Sequence, residues 1–464
     1  MIKAANSGDP IAQHELGIRY LLGLNISADT LKGAYWIRKA AESNIISAQY
    51  NLGILYMNGW GVNWNPFEAF RSFYQAAKNG MKEAQYAIGL FYTDNLIVKR
   101  NWQNAFYWLG KSAASGYEPA LKMIDELKDK VPASVSLNDS LLTAPPPQEP
   151  DILSSSFNND PVQSSLGLVF IDFENISDTI QTVTDSMLTE DMRFIAGAET
   201  ADSNSFSDSS VTINEFGPDE LSELLKAADA GSPEALAVLG RMYEKGITYK
   251  KNLLTAAAYY IRGVRMDSPK AALLLWEMVQ DIKLMQEVAA AVQNEDPEAM
   301  YVWYSLYDLG FNQSIVQKDA FELLQKSAAR YYLPAVIELG QNYYTGKMVQ
   351  QDKERAVELW KYAYNSGNIE AGVRLASAVI YDNLGIFTIN KAIEILKNAE
   401  SNGSVLAQVT IANCYESGIG LKKDPASAVK YYRYSAQRGN RFAYEQLVRL
   451  YDERRPDDEL FRIN

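Results

Sequence analysis

An all-α fold is what this 464-residue chain predicts: an α/α superhelical solenoid of helix-turn-helix repeats, interrupted by an acidic insert. Three observations lead there. Alanine recurs every 36 residues at Ala12, Ala48, Ala84 and Ala120, at Ala235 and Ala271, and at Ala299, Ala335, Ala371, Ala407 and Ala443. Other columns keep step with it, and turn residues fall at a constant phase. A fixed period of this length marks stacked helix pairs, which bury their apolar faces only against their neighbours. Binding is the first expectation and chemistry the second.

Helix A comes first in each unit. Four residues after the alanine stands a large apolar residue (Leu16, Leu52, Ile88, Leu239, Leu339, Leu375, Ile411), then a small one (Gly17, Gly53, Gly89, Gly240, Gly340, Ala376, Ala412). Three further on is tyrosine at Tyr20, Tyr56, Tyr92, Tyr243, Tyr307, Tyr343 and Tyr415, with Val379 breaking the column. Steps of four, one and three lie on one helical stripe. The small residue admits a close neighbour, and the tyrosine fills the adjoining gap.

Helix B carries two small columns seven residues apart, as at Ala69 and Ala76, Ala356 and Ala363, or Ala392 and Ala399, with Trp36, Tyr74, Trp108, Trp360 and Tyr432 among the large residues between them. Asn65-Pro66 and Asp424-Pro425 read as an N-cap followed by proline at the first helical position. Gly80, Gly116, Gly367, Gly403 and Gly439 fall where helix B should end. Gly59-Trp60-Gly61 and Gly418-Ile419-Gly420 have no preceding strand, so they predict a tight interhelical turn rather than a phosphate-cradling loop.

These columns resemble Sel1-like repeats, relatives of the tetratricopeptide repeats. Ala48–Ala84 and Ala407–Ala443 carry the pattern most fully, and the resemblance covers about residues 1–127 and 217–455. It implies a right-handed α/α superhelix that serves as an adaptor or scaffold, and it implies no reaction. The domain organisation expected is an N-terminal array over 1–130, an acidic linker or insert over 131–216 and a C-terminal array over 217–464.

Two stretches break the period. Ala271 to Ala299 is eight residues short, which predicts a degenerate repeat with shortened helices or loop, or else a bend. Residues 131–215 hold no repeat column. They contain fourteen acids against one base, Arg193, a net charge of −13 that equals that of the whole chain. The arrays are therefore neutral, with no electrostatic footprint for nucleic acid, and the acidic segment would be repelled by anionic membranes. Its composition predicts a disordered tether. Its apolar run Leu166–Phe173 and an amphipathic stretch over Ile180–Phe194 leave open a segment that docks on the array or a small separate fold.

The chemical inventory is thin. One histidine (His14) and one cysteine (Cys414) exclude an internal disulfide and a zinc site of usual composition, so neither metal nor cofactor is expected. Cys414 reads as a buried small side chain and His14 as a groove or surface residue. The lack of paired cysteines departs from the disulfide-stapled branch of Sel1-like proteins and suits a cytoplasmic location. No leader core precedes the first repeat, and Met1–Asn6 reads as the end of a helix B, so a lost signal peptide and an exported form stay open. No apolar run is long enough to span a bilayer.

In the related tetratricopeptide arrays helix A lines the concave surface. Carrying that over places Tyr50, Asn58, Tyr86 and Asp94 of the first array on a partner-binding face, with His14 beside them. In the second array the same step selects Arg241, Glu244, Tyr301, Gln341, Tyr344, Tyr381, Asn413 and Glu416. This mixture of tyrosines, amides and both charge signs suits a protein or peptide partner. The function expected is a non-enzymatic adaptor, regulated by the acidic insert. The alternative is a carbohydrate-active or cell-wall-associated enzyme, or its activator, which needs two carboxylates side by side in a cleft.

Overall fold

A computed structural model of the chain describes residues 1–128, 218–311 and 315–463. The acidic segment, its apolar run and the helix expected over 180–194 lie outside the described residues. Before it come α1 (Ile2–Asn6), α2 (Pro10–Leu22), α3 (Thr30–Glu42), α4 (Ile46–Asn58), α5 (Pro66–Lys78), α6 (Lys82–Phe91), α7 (Trp102–Ala114) and α8 (Glu118–Lys128). After it come α9 (Pro218–Asp229), α10 (Pro233–Lys245), α11 (Leu253–Arg265), α12 (Pro269–Val279), α13 (Ile282–Gln293), α14 (Pro297–Asp308) and α15 (Gln317–Ala329). Then follow α16 (Leu333–Thr345), α17 (Lys353–Asn365), α18 (Ile369–Asp382), α19 (Ile389–Ser401), α20 (Val405–Ser417), α21 (Pro425–Gln437), α22 (Arg441–Asp452) and a 3-10 turn at Glu459–Phe461. Among the described residues there is no strand.

Five repeats are built the same way. The alanine column is buried throughout, from Ala12 to Ala443. The small residue of helix A faces the large residue twenty positions on in helix B. A Cβ on Gly53 would lie 2.8 Å from the Phe73 ring, on Gly240 2.3 Å from Tyr260 and on Gly340 2.4 Å from Trp360. Gly17 meets Ile37 and Gly89 meets Leu109 in the same way.

The turn between the helices is locked by backbone. The amide that opens helix B donates to the carbonyl of the tyrosine column nine residues earlier: Asp29 to Tyr20 at 2.8 Å, Asn65 to Tyr56 at 3.0 Å, Asn101 to Tyr92 at 2.9 Å, Asn252 to Tyr243 at 2.9 Å and Asp352 to Tyr343 at 2.8 Å. The side chains of the same residues cap helix B, Asn65 accepting from the amides of Phe67 and Glu68. Asp424 does likewise for Ala426 and Ser427. In the second repeat the turn closes through left-handed Gly59 and Gly61, and a Cβ on Gly61 would stand 2.0 Å from the Thr30 carbonyl oxygen. This is the tight interhelical turn expected of that motif.

The shortened repeat is a degenerate pair. α12 and α13 are joined by Gln280 and Asp281 alone, where seven residues join α4 to α5 and α10 to α11. Most of the missing length is loop. Leu273, Trp276 and Ile282 of this pair are exposed.

The described helices belong to two compact units. The first comprises Met1–Ile176, Asp424–Ser427 and Glu445–Asn464, the second Ser177–Lys423 and Ala428–Tyr444. In the first, the C-terminal residues pack on α5. Phe461 is buried with its ring 5.0 Å from that of Phe67 and 5.9 Å from that of Phe70. Arg455 donates to the carbonyls of Leu96 at 2.7 Å and Ile97 at 3.1 Å, and Arg71 pairs with Asp458 at 2.8 Å.

The second unit closes on itself. Arg438, in the link after α21, donates to Glu234 at the start of α10 at 2.5 and 2.9 Å, and Asn440 donates to Asp267 at 3.1 Å. Asp229, ending α9, accepts from the Ile369 amide at 2.8 Å. Inside the turn lies a charged core. Arg265 pairs with Glu338 at 2.7 Å and Asp308 at 3.1 Å, while Arg374 and Arg262 flank Glu370 at 2.8 and 3.5 Å.

Two stability changes follow. Gly53→Leu forces a side chain into the Phe73 ring, so the first unit should lose about 1–3 kcal/mol, read as faster hydrogen exchange and an earlier urea transition over α4 and α5. Arg265→Met strands the buried Glu338 carboxylate, while Asp308 keeps Lys347, and should cost the second unit about 3–5 kcal/mol. Urea unfolding followed by hydrogen exchange in α11 and α16 checks it.

Candidate functional site

The residues expected on a concave face meet different fates. Tyr50 and Tyr301 are buried, at 4% and 1% exposure, and are not available to a partner. His14 is buried too, a correction to its reading as a groove or surface residue. All three stand two positions after the alanine column, where Ala237, Ile337, Val373 and Val409 are also buried. That position is a seam against neighbouring helices. The apolar residues occupying it in the later repeats were the signal in the sequence.

Most of the others are engaged within their own unit. Asn58 donates to the Ile54 carbonyl at 2.9 Å, Tyr86 stands edge-on to Tyr117, and Asp94 accepts from the Leu96 amide at 3.2 Å. Glu244 pairs with Arg241 at 3.3 Å and accepts from the Tyr260 hydroxyl at 2.7 Å. Glu416 accepts from Tyr432 at 3.1 Å, sixteen residues on, repeating the Glu244–Tyr260 arrangement. Gln341 accepts from Arg374 at 2.6 Å, and Tyr344 donates to Asp382. Asn413 is half-buried, and Tyr381 is exposed.

The first unit instead holds an open cleft of about 780 Å³. The N-terminal turns of α3, the end of α4, the Gly59–Asn65 turn, the start of α5 and Arg454 after α22 form it. Its lining includes Arg38, Tyr56, Val62, Trp64, Glu68 and Arg454. The Arg38 guanidinium lies 5.9 Å from the Tyr56 ring centre and that of Arg454 5.0 Å from Trp64. Both arginines are exposed, and neither has an acidic partner among the described residues. Glu68 is bound by Arg71. Trp64 is buried, and its indole Nε1 has no acceptor among the described residues. Column reasoning missed this site because Arg38 lies on helix B and Arg454 outside the repeats.

Among the described residues no group of three His, Cys, Asp or Glu side chains could hold a metal ion. Cys414 is buried as expected, and burial pushes its thiol up to about 12. No helix among the described residues is long and apolar enough to cross a membrane.

The model of the Sel1 repeat family matches residues 10–45, 46–81, 82–117, 233–268, 303–332, 333–368 and 405–440, more than half of the chain. The chain belongs to the Sel1 repeat family. Two helix pairs fall wholly or largely outside the match: the shortened α12–α13 and the α18–α19 pair, in which Val379 replaces the tyrosine column. The chain is 28% identical over 132 residues to protein sel-1 homolog 2 of Homo sapiens. It is 35% identical over 107 residues to DAP3-binding cell death enhancer 1 of Rattus norvegicus. Those stretches are 28% and 23% of this chain and 19% and 21% of the relatives, so the chain spans about a fifth of their length. Among solved structures, the Sel1-like repeat antigen c5321 of uropathogenic Escherichia coli matches with a TM-score of 0.33 and 18% identity, over 98% of this chain and 82% of that one. A Sel1 repeat protein from Oxalobacter formigenes matches at 0.25 and 20%, over 97% and 88%. Sel1 repeat proteins are in general protein-interaction scaffolds.

His14 gives this Sel1 repeat protein a pH dependence. Burial holds the imidazole down at about 4, with Asn51 Nδ2 at 3.1 Å from Nε2 and Ser47 Oγ at 3.5 Å from Nδ1. Unfolded chain takes up the proton near pH 6.5 while folded chain refuses it until about pH 4. Stability of the first unit is therefore complete above pH 6.5 and falls below it, by about 1.4 kcal/mol per pH unit and about 3 kcal/mol in all. Urea midpoints at pH 7, 6 and 5 should show this slope in the native chain and a shallower one in His14→Gln. An equal slope in both assigns the titration elsewhere.

Proposed function

We propose that the chain is an adaptor that holds protein partners on its Sel1 repeats, with the acidic segment 131–216 controlling access to them. One observation carries the reading: the repeats present helix pairs and an open cleft lined by arginines without acidic partners among the described residues, not a constellation of catalytic groups. The single acid lining that cleft is Glu68, already engaged by Arg71, so it lacks the carboxylate pair that glycoside hydrolysis needs. One relative is named for binding a protein, DAP3, which agrees with a protein partner here. The first unit supports the reading best, because the inner side of the second is occupied by its own arginines and carboxylates.

Of the residues read from the sequence, Tyr381 and the half-buried Asn58, Tyr86, Asp94 and Asn413 remain proposed contacts. Regulation by the acidic segment rests on its charge, which lets it compete with a partner for cationic seats. Cytoplasmic residence is part of the proposal, on the strength of the lone buried Cys414.

Cross-linking of the full-length chain in cell extract, with partners identified by mass spectrometry and rebound as purified proteins, tests the adaptor. The expected result is saturable binding of at least one purified protein, tighter when residues 131–216 are removed. Failure of every purified candidate to bind sinks the adaptor reading. Unchanged affinity on removal of the segment sinks its regulatory part alone.

A further inference from the structure

We propose that the cleft of the first unit is the seat of an extended acidic peptide, with the guanidiniums of Arg38 and Arg454 receiving two of its carboxylates. This rests on the adaptor reading and names the chemistry of the partner at one place.

The argument begins with what the arginines lack. Nearby Arg71 is bound to Glu68 and Asp458, and Arg455 to the carbonyls of Leu96, Ile97 and Phe461. Arg38 and Arg454 have no such engagement: each has a ring against its guanidinium and no acid beside it. A guanidinium near a ring and paired with no acid keeps N–H donors free, and their fork matches a carboxylate. Two such groups from separate elements of one cleft make a site for spaced negative charges.

The rest of the lining selects among anions. Tyr56, Val62 and Trp64 give an apolar floor on which side chains between the carboxylates can lie. The cleft, at about 780 Å³, is large enough for several residues. The Glu68 carboxylate in the same lining disfavours phosphate dianions and a continuous phosphate backbone. An acidic peptide with apolar residues between its acids fits each of these features, and nucleic acid fits fewer.

Fluorescence anisotropy on the full-length chain tests it, with a labelled dodecapeptide of four Glu-Leu-Gly repeats as the probe. Its Gln-Leu-Gly and phosphoserine-Leu-Gly counterparts and a thymidine dodecanucleotide are the comparisons. The expected result is saturable binding of the glutamate peptide, about tenfold or more weaker for the glutamine peptide, and weakened by salt. Arg38→Gln and Arg454→Gln should each weaken it about three- to fivefold and together about tenfold or more. Arg355→Gln, an exposed arginine stacked on Tyr343 in the second unit, should leave it unchanged. Unaltered thermal melting of the cleft variants confirms that they fold.

Equal binding of the glutamine peptide, or native affinity in the double variant, overturns the proposal. Tighter binding of the phosphopeptide or the oligonucleotide overturns the ligand class. A gain above tenfold when residues 131–216 are replaced by a neutral Gly-Ser linker assigns the seat to this chain's own acidic segment and overturns the partner. Partner binding that persists while the acidic peptide fails to bind removes the cleft alone; the reverse removes the adaptor reading alone.

Discussion

Five of the repeats depend on one contact, the seating of a large helix B side chain against a helix A position that carries no Cβ. Phe73 against Gly53, Tyr260 against Gly240 and Trp360 against Gly340 repeat it at a constant separation of twenty residues. The contact sets how near the two helices come, and nearness lets the amide that opens helix B reach the tyrosine-column carbonyl nine residues back. Helix packing at close range and a backbone lock across the turn thus enforce one another. A pair so fixed is a rigid block whose outer faces are apolar, and stacking is the remaining way to bury them.

Much of this was legible before any coordinates. The alanine column, the glycine column and the caps at Asn65 and Asp424 are local features, and local features repeat visibly. The shortened unit was legible as degenerate, because helices tolerate the loss of loop better than the loss of a turn of helix. What the columns could not show is which neighbour covers a given position. His14, Tyr50 and Tyr301 carry polar or amphipathic side chains that read as partner contacts, yet they occupy a seam between repeats. The cleft was harder still. Arg38 lies within a repeat and Arg454 beyond the last one, so no periodic signal relates them.

The polar residues of the second unit show how a repeat protein satisfies its own inner side. Glu244 with Tyr260 and Glu416 with Tyr432 are one solution used twice, and Arg265 with Glu338 and Asp308 is another. Burial pushes the Glu338 carboxyl up while Arg265 pulls it back. Such groups give little adhesion for a partner, since binding there would first have to break bonds already made. The first unit leaves the guanidiniums of Arg38 and Arg454 without an acidic partner among the described residues. Two units made of the same repeat thereby differ in how far their charged groups are paired within the unit.

The bond between Arg438 and Glu234 joins residues 204 apart in sequence. In an open stack each repeat can be added as it leaves the ribosome, and a terminal repeat frays at the expense of a single interface. In the second unit the early and late helix pairs are bonded to each other. Its first block stays incompletely covered until its last has been synthesised, and loss of either one opens both. The second unit should accordingly assemble late and unfold as a whole, with a cooperativity that belongs to globular domains and not to linear arrays.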